Sequence, residues 1–497
     1  AKHSDVGQST SGESTPDEST PDESTPDEST PDESTRFTVG SKTFFIHDAS
    51  RAYDSVAGAS QGVRTLITEL WYPVAHNSIT ANSKKATYGD YVFSDKTVHR
   101  RMLTETTFFH LTPTSVNTGV SQQQIDDSID ELFHRERGSY VDAALAASSQ
   151  AWPVIVMTHG DAGSRYNMET AAEYLASHGY IVIAPEHTGN SPFSMSGKDP
   201  MLSDMNDSEL ALKVKENRQY LDELGVYGTA AGFGQSYIPL SGKDAGVNRY
   251  VNLDLALVER VNDLRATLTE LEKLNQSGMF ANRIDLSKIG LMGRSFGGIT
   301  TLAGLMLEDR FVSGFSVVPP SFPDVREHLP KEILIDTGKD SVFLSVQKSM
   351  TTAQLHKPTF LLLGAEDHLI LSIYEDMAKS FGLELPSLAN PYPQMQNAFE
   401  TASVPAVYAL AENTNHGSFG VSGTYWWPAL KPNTFDRYFD KENTYTLLAV
   451  ERAHQLQKEM ALAFFNLTIK EDQSGLAKIK ANPWQHDGAK IQISGFE

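Results

Sequence analysis

A chain of 497 residues with 63 acidic against 41 basic side chains, a formal net charge of −22, is poorly suited to binding nucleic acid, whose phosphates call for the opposite sign. The absence of cysteine excludes disulfides, thiolate metal sites and a cysteine nucleophile. The composition is otherwise that of an ordinary globular protein, and no apolar run is long enough to span a bilayer.

In chain order, residues 14 to 35 repeat STPDE, with proline at every fifth position and paired acids. Such a segment cannot bury apolar surface, so residues 1–36 are expected to form a disordered acidic tail and residues 37–497 one decorated catalytic domain. The start at Ala1 rather than Met is read as a removed leader or a trimmed start, and the protein as soluble and exported, secreted or periplasmic. Beyond the tail, strands alternate with helices. Strands are predicted at Thr65 to Val74, Pro153 to Thr158, Tyr180 to Pro185, Lys288 to Gly293, Val312 to Val318, Pro358 to Gly364 and Val404 to Leu410. Most are continuous apolar runs, which fit strands buried on both faces. Helical spacing marks Tyr166 to Ser177, Val251 to Leu274 and a closing helix from Tyr445 to Asn466. The fold class is therefore α/β, a mostly parallel doubly wound sheet with helices on both faces. Residues 88–150 and 190–250 are long, mixed in polarity and rich in Gly, Ser and Asp. They read as lid-like insertions over the sheet's C-terminal edge.

In KIGLMGRSFGGITTLAGL, residues 288 to 305, an apolar strand runs into Gly293-Arg-Ser-Phe-Gly297 and restarts at once as a helix. Glycines on both sides let the two segments approach closely while Ser295 takes a strained backbone conformation that lifts its Oγ clear of the sheet. GASQG at 58 to 62 also fits G-x-S-x-G, but no strand feeds it, so Ser60 is a loop serine.

A serine nucleophile needs a base that accepts a proton near neutral pH, and imidazole has the suitable pKa. In doubly wound hydrolases the chain order is Ser, acid, His. Among fifteen histidines, His416 in AENTNHGSFG falls on a loop just past the last predicted strand, at the reactive edge. His356 and His368 flank another strand, and His454 lies mid-helix. The acid that orients the base is assigned to Asp367, in the turn after the buried run PTFLLLG. Asp324 in PPSFPDV is the rival and Glu366 a third option. Oxyanion donors are expected from the backbone N–H of Phe296 and that of Asp161, in the His159-Gly-Asp-Ala-Gly163 loop. The Asp161 carboxylate would oppose the developing charge unless it points away or pairs with Arg165. No metal or cofactor is expected, Asp204 and Asp207 reading as solvated loop charges. The expected partner is a small-molecule or lipid ester, with transient contact to a lipid surface, no nucleic acid and no obligate protein partner.

THGDAGSRYNMETAAEYLASHGYIVIAPEH, the helix DLALVERVNDLRATLTELEKL, GRSFGG, the late Asn-His-Gly loop and the opening RTLITELWYPV together resemble the plasma-type (group VII) platelet-activating-factor acetylhydrolases and their microbial relatives. The likeness covers roughly residues 60 to 75 and 150 to 470. It implies an α/β-hydrolase fold and a metal-independent ester hydrolase acting on short or oxidised acyl chains of phospholipids. By motif it carries the nucleophile to Ser295, the base to His416 and the oxyanion donors to Phe296 and Asp161. The chain departs from the family in three places. Val318 stands where the plasma-type acid is expected, whereas dienelactone-hydrolase-like esterases carry the acid one strand later, where Asp367 stands. Arg294 replaces the usual His before the nucleophile, and Asp161 replaces an apolar residue. The alternatives are a broad carboxylesterase or polyester hydrolase of the same fold and, more remotely, an inactive binding protein.

Overall fold

The computed structural model describes residues 36–56, 60–93, 96–106, 120–191, 205–224, 248–320, 326–334, 340–344 and 354–497. The STPDE tail, Asp204 and Asp324 lie outside the described residues.

Among the described residues, eleven strands form one sheet. In chain order the strands are β1 (Thr38–Asp48), β2 (Arg64–Val74), β3 (Lys85–Thr87), β4 (Glu136–Val141), β5 (Trp152–Thr158), β6 (Ile181–Pro185), β7 (Ile284–Arg294), β8 (Ser313–Val317), β9 (Thr359–Gly364), β10 (Ala406–Ala411), β11 (Thr434–Asp436), β12 (Thr444–Thr446) and β13 (Ala489–Ser494). The sheet order is β13-β10-β9-β8-β7-β5-β6-β2-β1-β4-β3, and β11 pairs with β12 in a separate ribbon. Strands β6, β5, β7, β8, β9 and β10 run parallel, while β2 joins β6 antiparallel. Every residue of β5, WPVIVMT, is buried, as is every residue of β8 and β9. The nearly continuous apolar runs of β5 and β9 follow from having helices on both sides, while β8, SGFSV, is buried with two serines in it.

The helices are α1 (Lys96–Thr106), α2 (Gln122–Phe133), α3 (Glu169–Ser177), α4 (Ser208–Leu224), α5 (Asn248–Leu274), α6 (Phe296–Leu307), α7 (His368–Phe381), α8 (Pro393–Glu400), α9 (Val450–Ile469) and α10 (Gln473–Ala481). On one face, Leu175 of α3 and Leu456, Met460, Phe464 and Phe465 of α9 pack with Ile155, Met157, Phe315 and Phe360. On the other, Leu264, Leu268 and Leu271 of α5 and Leu305 of α6 cover Val154, Val156, Ile181 and Leu291. Each such side chain contributes about 1.5–3 kcal/mol of transfer free energy on burial. The sheet is thereby covered on both faces, and the segments that bear Ser295, Asp367 and His416 leave the carboxyl ends of its parallel strands.

Two expectations change, and four strands of the large sheet appear beyond those expected. Strands β1, β3, β4 and β13 lie toward the two ends of the sheet and mix polar with apolar residues, so they lack the continuous apolar run of a central strand. Residues 88–150 do not simply overlie the C-terminal edge. They supply β4, which pairs with β1 at Gly40 and Ser41, and their Ile125, Ile129, Leu132 and Phe133 enter the α3/α9 core. Of the second segment, residues 192–204 and 225–247 lie outside the described residues; its α4 lies against the start of β2, which, because β2 runs antiparallel to β6, is at the C-terminal edge, and there Asn217 Oδ1 accepts from the Val63 N–H at 2.9 Å. Finally, Tyr445 belongs to β12, buried between exposed Thr444 and Thr446, and the closing helix begins at Val450.

Candidate active site

Ser295 joins β7 to α6 with φ 58° and ψ −123°. A non-glycine residue there is strained by roughly 1–3 kcal/mol and must be held by its surroundings. It is so held. Its N–H donates to the Val317 carbonyl at 2.8 Å, and its carbonyl accepts from Gly298 at 2.6 Å and Ile299 at 3.2 Å. A Cβ on Gly293 would stand 2.0 Å from the Gly297 carbonyl oxygen, and one on Gly297 would stand 2.0 Å from that of Thr158, so both glycines are sterically required. Ser60 is exposed and belongs to no element.

His416 opens a short 3₁₀ turn, His416–Phe419, beyond β10; Asn415 caps the turn by accepting from the Gly417 N–H at 3.1 Å. Asp367 ends the turn after β9 and caps α7, its Oδ1 accepting from the Ile370 N–H at 3.1 Å. Its Oδ2 lies 2.8 Å from His416 Nδ1, and His416 Nε2 lies 2.8 Å from Ser295 Oγ. A buried carboxylate can only accept, so Nδ1 carries the proton and the Nε2 lone pair faces the serine hydroxyl. Glu366 is turned elsewhere: it accepts from Arg437 Nη1 and from the Tyr438 N–H, each at 2.9 Å. Val318 is buried at the end of β8 with φ 42°, an outlier for a β-branched residue, and its N–H donates to the Leu362 carbonyl at 2.8 Å.

Arg294 is buried beneath the His416 loop. Its Nη2 donates to the His416 carbonyl at 2.6 Å and its Nη1 to Asn167 Oδ1 at 3.1 Å. Burial lowers its pKa to about 10, against the opposing pull of Asp367. Burial, reinforced by the Arg294 charge, lowers Lys431 to about 7.

The loop after β5 brings Gly160 against Ser295, since a Cβ there would stand 3.2 Å from Ser295 Cβ. Asp161 follows, and Phe296 is the first residue of α6. Asp161 does not pair with Arg165, which is committed to Glu69 at 2.9 Å, Glu186 at 2.8 Å and the Tyr91 carbonyl at 2.6 Å. Its carboxylate accepts from the Asn190 amide instead. Asp207 is exposed and caps α4, accepting from the Glu209 N–H at 3.0 Å. Among the described residues, no group of three or more His, Cys, Asp or Glu could hold a metal ion.

Sequence reasoning passed over Asn167, Asn190 and Arg260. The asparagines carry no local signal. Arg260 did carry one, because it interrupts the apolar stripe Leu253, Leu257, Leu264 and Leu268 of α5, and a charge on a buried face must find partners.

A strained serine between a parallel strand and a helix, with an imidazole and a carboxylate delivered by later strands, defines an α/β-hydrolase fold. A ferulic acid esterase from Streptomyces cinnamoneus shares this fold, with a TM-score of 0.54 and 16% identity over 92% of this chain and 97% of that one. In sequence the chain resembles platelet-activating factor acetylhydrolases. A family model for platelet-activating factor acetylhydrolase, isoform II, matches residues 131–224, a stretch that holds the His159 loop but not Ser295. The enzyme of that name from Cavia porcellus is 27% identical over 221 residues, 40% of this chain and 45% of its own length. The one from Canis lupus familiaris is 26% identical over 170 residues, 34% of this chain and 35% of its own. The matched region thus spans less than half of either relative.

Proposed function

We propose that this protein is a serine ester hydrolase that releases short or oxidised acyl chains from phospholipid esters. The observation that supports this reading is the hydrogen-bonded series Ser295, His416, Asp367, at 2.8 Å for each link, on the carboxyl edge of the sheet. Ser295 Oγ attacks the ester carbonyl as its proton passes to His416 Nε2; the carbonyl π pair moves onto oxygen, facing the N–H groups of Phe296 and Asp161. Collapse of that intermediate breaks the bond to the alcohol, which leaves with the proton from His416. Water, activated in turn by His416, then frees the acyl group and restores the serine. Asp367 keeps Nδ1 protonated and stabilises the imidazolium.

The lipid substrate class, and with it a part in lipid degradation, rests on the resemblance to the acetylhydrolases. An extracytoplasmic setting belongs to the same reading and is tested by recovering the chain from the medium of its native cells. Among the described residues, no helix is long and apolar enough to cross a membrane. The decisive experiment compares acetate release from a platelet-activating-factor analogue with turnover of p-nitrophenyl butyrate and of a polyester film. Fluorophosphonate labelling, lost in Ser295→Ala, reports the nucleophile. Turnover of the simple ester with indifference to the phospholipid would overturn the lipid reading, and no labelling of Ser295 would overturn the hydrolase reading altogether.

A further inference from the structure

Resting on the ester-hydrolase reading above, we propose that Arg260 is a positioning residue that braces both halves of the oxyanion hole. Its guanidinium is fully buried on α5. Nη1 donates to the His159 carbonyl at 2.5 Å, and Nη2 donates to the Gly160 carbonyl at 3.2 Å and to Asn190 Oδ1. Its Cζ stands 4.6 Å from the centroid of the Phe296 ring.

The Gly160 carbonyl and the Asp161 N–H belong to one peptide unit. In a trans peptide these two groups point in opposite directions, so a cation holding the carbonyl on one side aims the N–H to the other. The same carbonyl also accepts from His159 Nδ1 at 2.7 Å and from the Gly163 N–H at 3.1 Å, so the plane of this peptide is fixed at several points. Asn190 extends the brace. Its carbonyl oxygen accepts from Arg260 while its amide donates to the Asp161 carboxylate. The side chain next to the oxyanion donor is thus held by a polarised relay rather than left to approach the developing charge. Burial pushes the Asp161 carboxyl pKa up, and the Asn190 hydrogen bond and the Arg260 charge oppose that push. The cation over the Phe296 ring ties the second donor residue to the same guanidinium.

The test uses the full chain, with kcat and KM on p-nitrophenyl acetate and the affinity of an alkyl trifluoromethyl ketone. That ketone adds Ser295 Oγ to give a tetrahedral oxyanion, the proton going to His416. Arg260→Met is expected to lose about 10²-fold in kcat, the loss typical of removing an oxyanion donor, and to lose ketone affinity in step, with KM changed less than about 3-fold. Arg260→Lys, which keeps the charge but offers a single donor nitrogen in place of the fork, falls between. Should Arg260→Met fail to fold by near-UV circular dichroism, Asn190→Ala leaves the arginine in place and is expected to lose about 10-fold in both kcat and ketone affinity. A folded variant whose ketone affinity is unchanged, or whose loss lies in KM alone, would overturn the proposal. Failure of the wild-type chain to hydrolyse any ester is a different result; it removes the underlying reading and this inference with it.

Discussion

The Asp367 carboxylate serves two structures at once: one oxygen faces His416 Nδ1 at 2.8 Å and the other caps α7 through the Ile370 N–H at 3.1 Å. The carboxylate that meets the His416 imidazole is therefore itself oriented by a helix terminus.

This dual role separates two substitutions. Asp367→Asn can still cap the helix but favours the wrong imidazole tautomer, so kcat should fall by about 10⁴-fold with little change in melting temperature. Asp367→Ala should match that loss and also cost about 1 kcal/mol from the missing cap. Steady-state kinetics beside thermal melts would check both, and equal stability of the two variants would contradict the capping role.

Arg294, the residue before Ser295, is tied to the backbone of His416 through that residue's carbonyl at 2.6 Å. Arg294→Met should let the His416 turn shift, lowering kcat on the order of 10²-fold while leaving KM nearly unaltered. Single-turnover measurement of acylation would show the loss in the chemical step; a change in KM alone would point to substrate contact instead.

Gly297→Ala places a methyl carbon 2.0 Å from the Thr158 carbonyl oxygen and 2.7 Å from that of His159. Both are backbone atoms of a central strand and its loop, which cannot yield cheaply. The substitution should destabilise the fold by about 3 kcal/mol and displace Ser295, abolishing fluorophosphonate labelling. Denaturant unfolding measures the first effect and labelling the second.

Burial lowers the pKa of His99, His187 and His454 to about 3 each. Their unfolded value is near 6.5, so below that pH the unfolded chain binds protons that the folded chain refuses. Stability should be fully present above pH 6.5 and fall as pH drops toward 3, by as much as ~1.4 kcal/mol per pH unit for each of the three. Calorimetry at pH 7, 6, 5 and 4 would follow it. His454→Gln should shallow the slope, and a melting temperature constant across this window would show that these rings are not held neutral.

Much of this arrangement could be read in advance because its signals are local. β5, β9 and β10 appear as largely apolar runs, Asp367 and His416 stand in the turn and loop that follow two of them, and Ser295 follows the apolar stretch Ile289 to Met292 that closes β7. The strands toward the sheet ends were not legible. β1 reads TVGSKTFFIHD, and its place depends on β2 and β4 lying beside it rather than on its own pattern.

The sequence by itself determined the sharp bend at Ser295, since glycine's freedom from Cβ clashes is a property of one position and its neighbours in the chain. Only the tertiary structure decided the partners: Asn190 for Asp161 where Arg165 was the candidate, Arg294 under the His416 loop, and Arg260 between His159, Gly160 and Phe296. A polar group removed from water must find a partner, but which one it finds is set by segments tens to hundreds of residues apart that packing brings together.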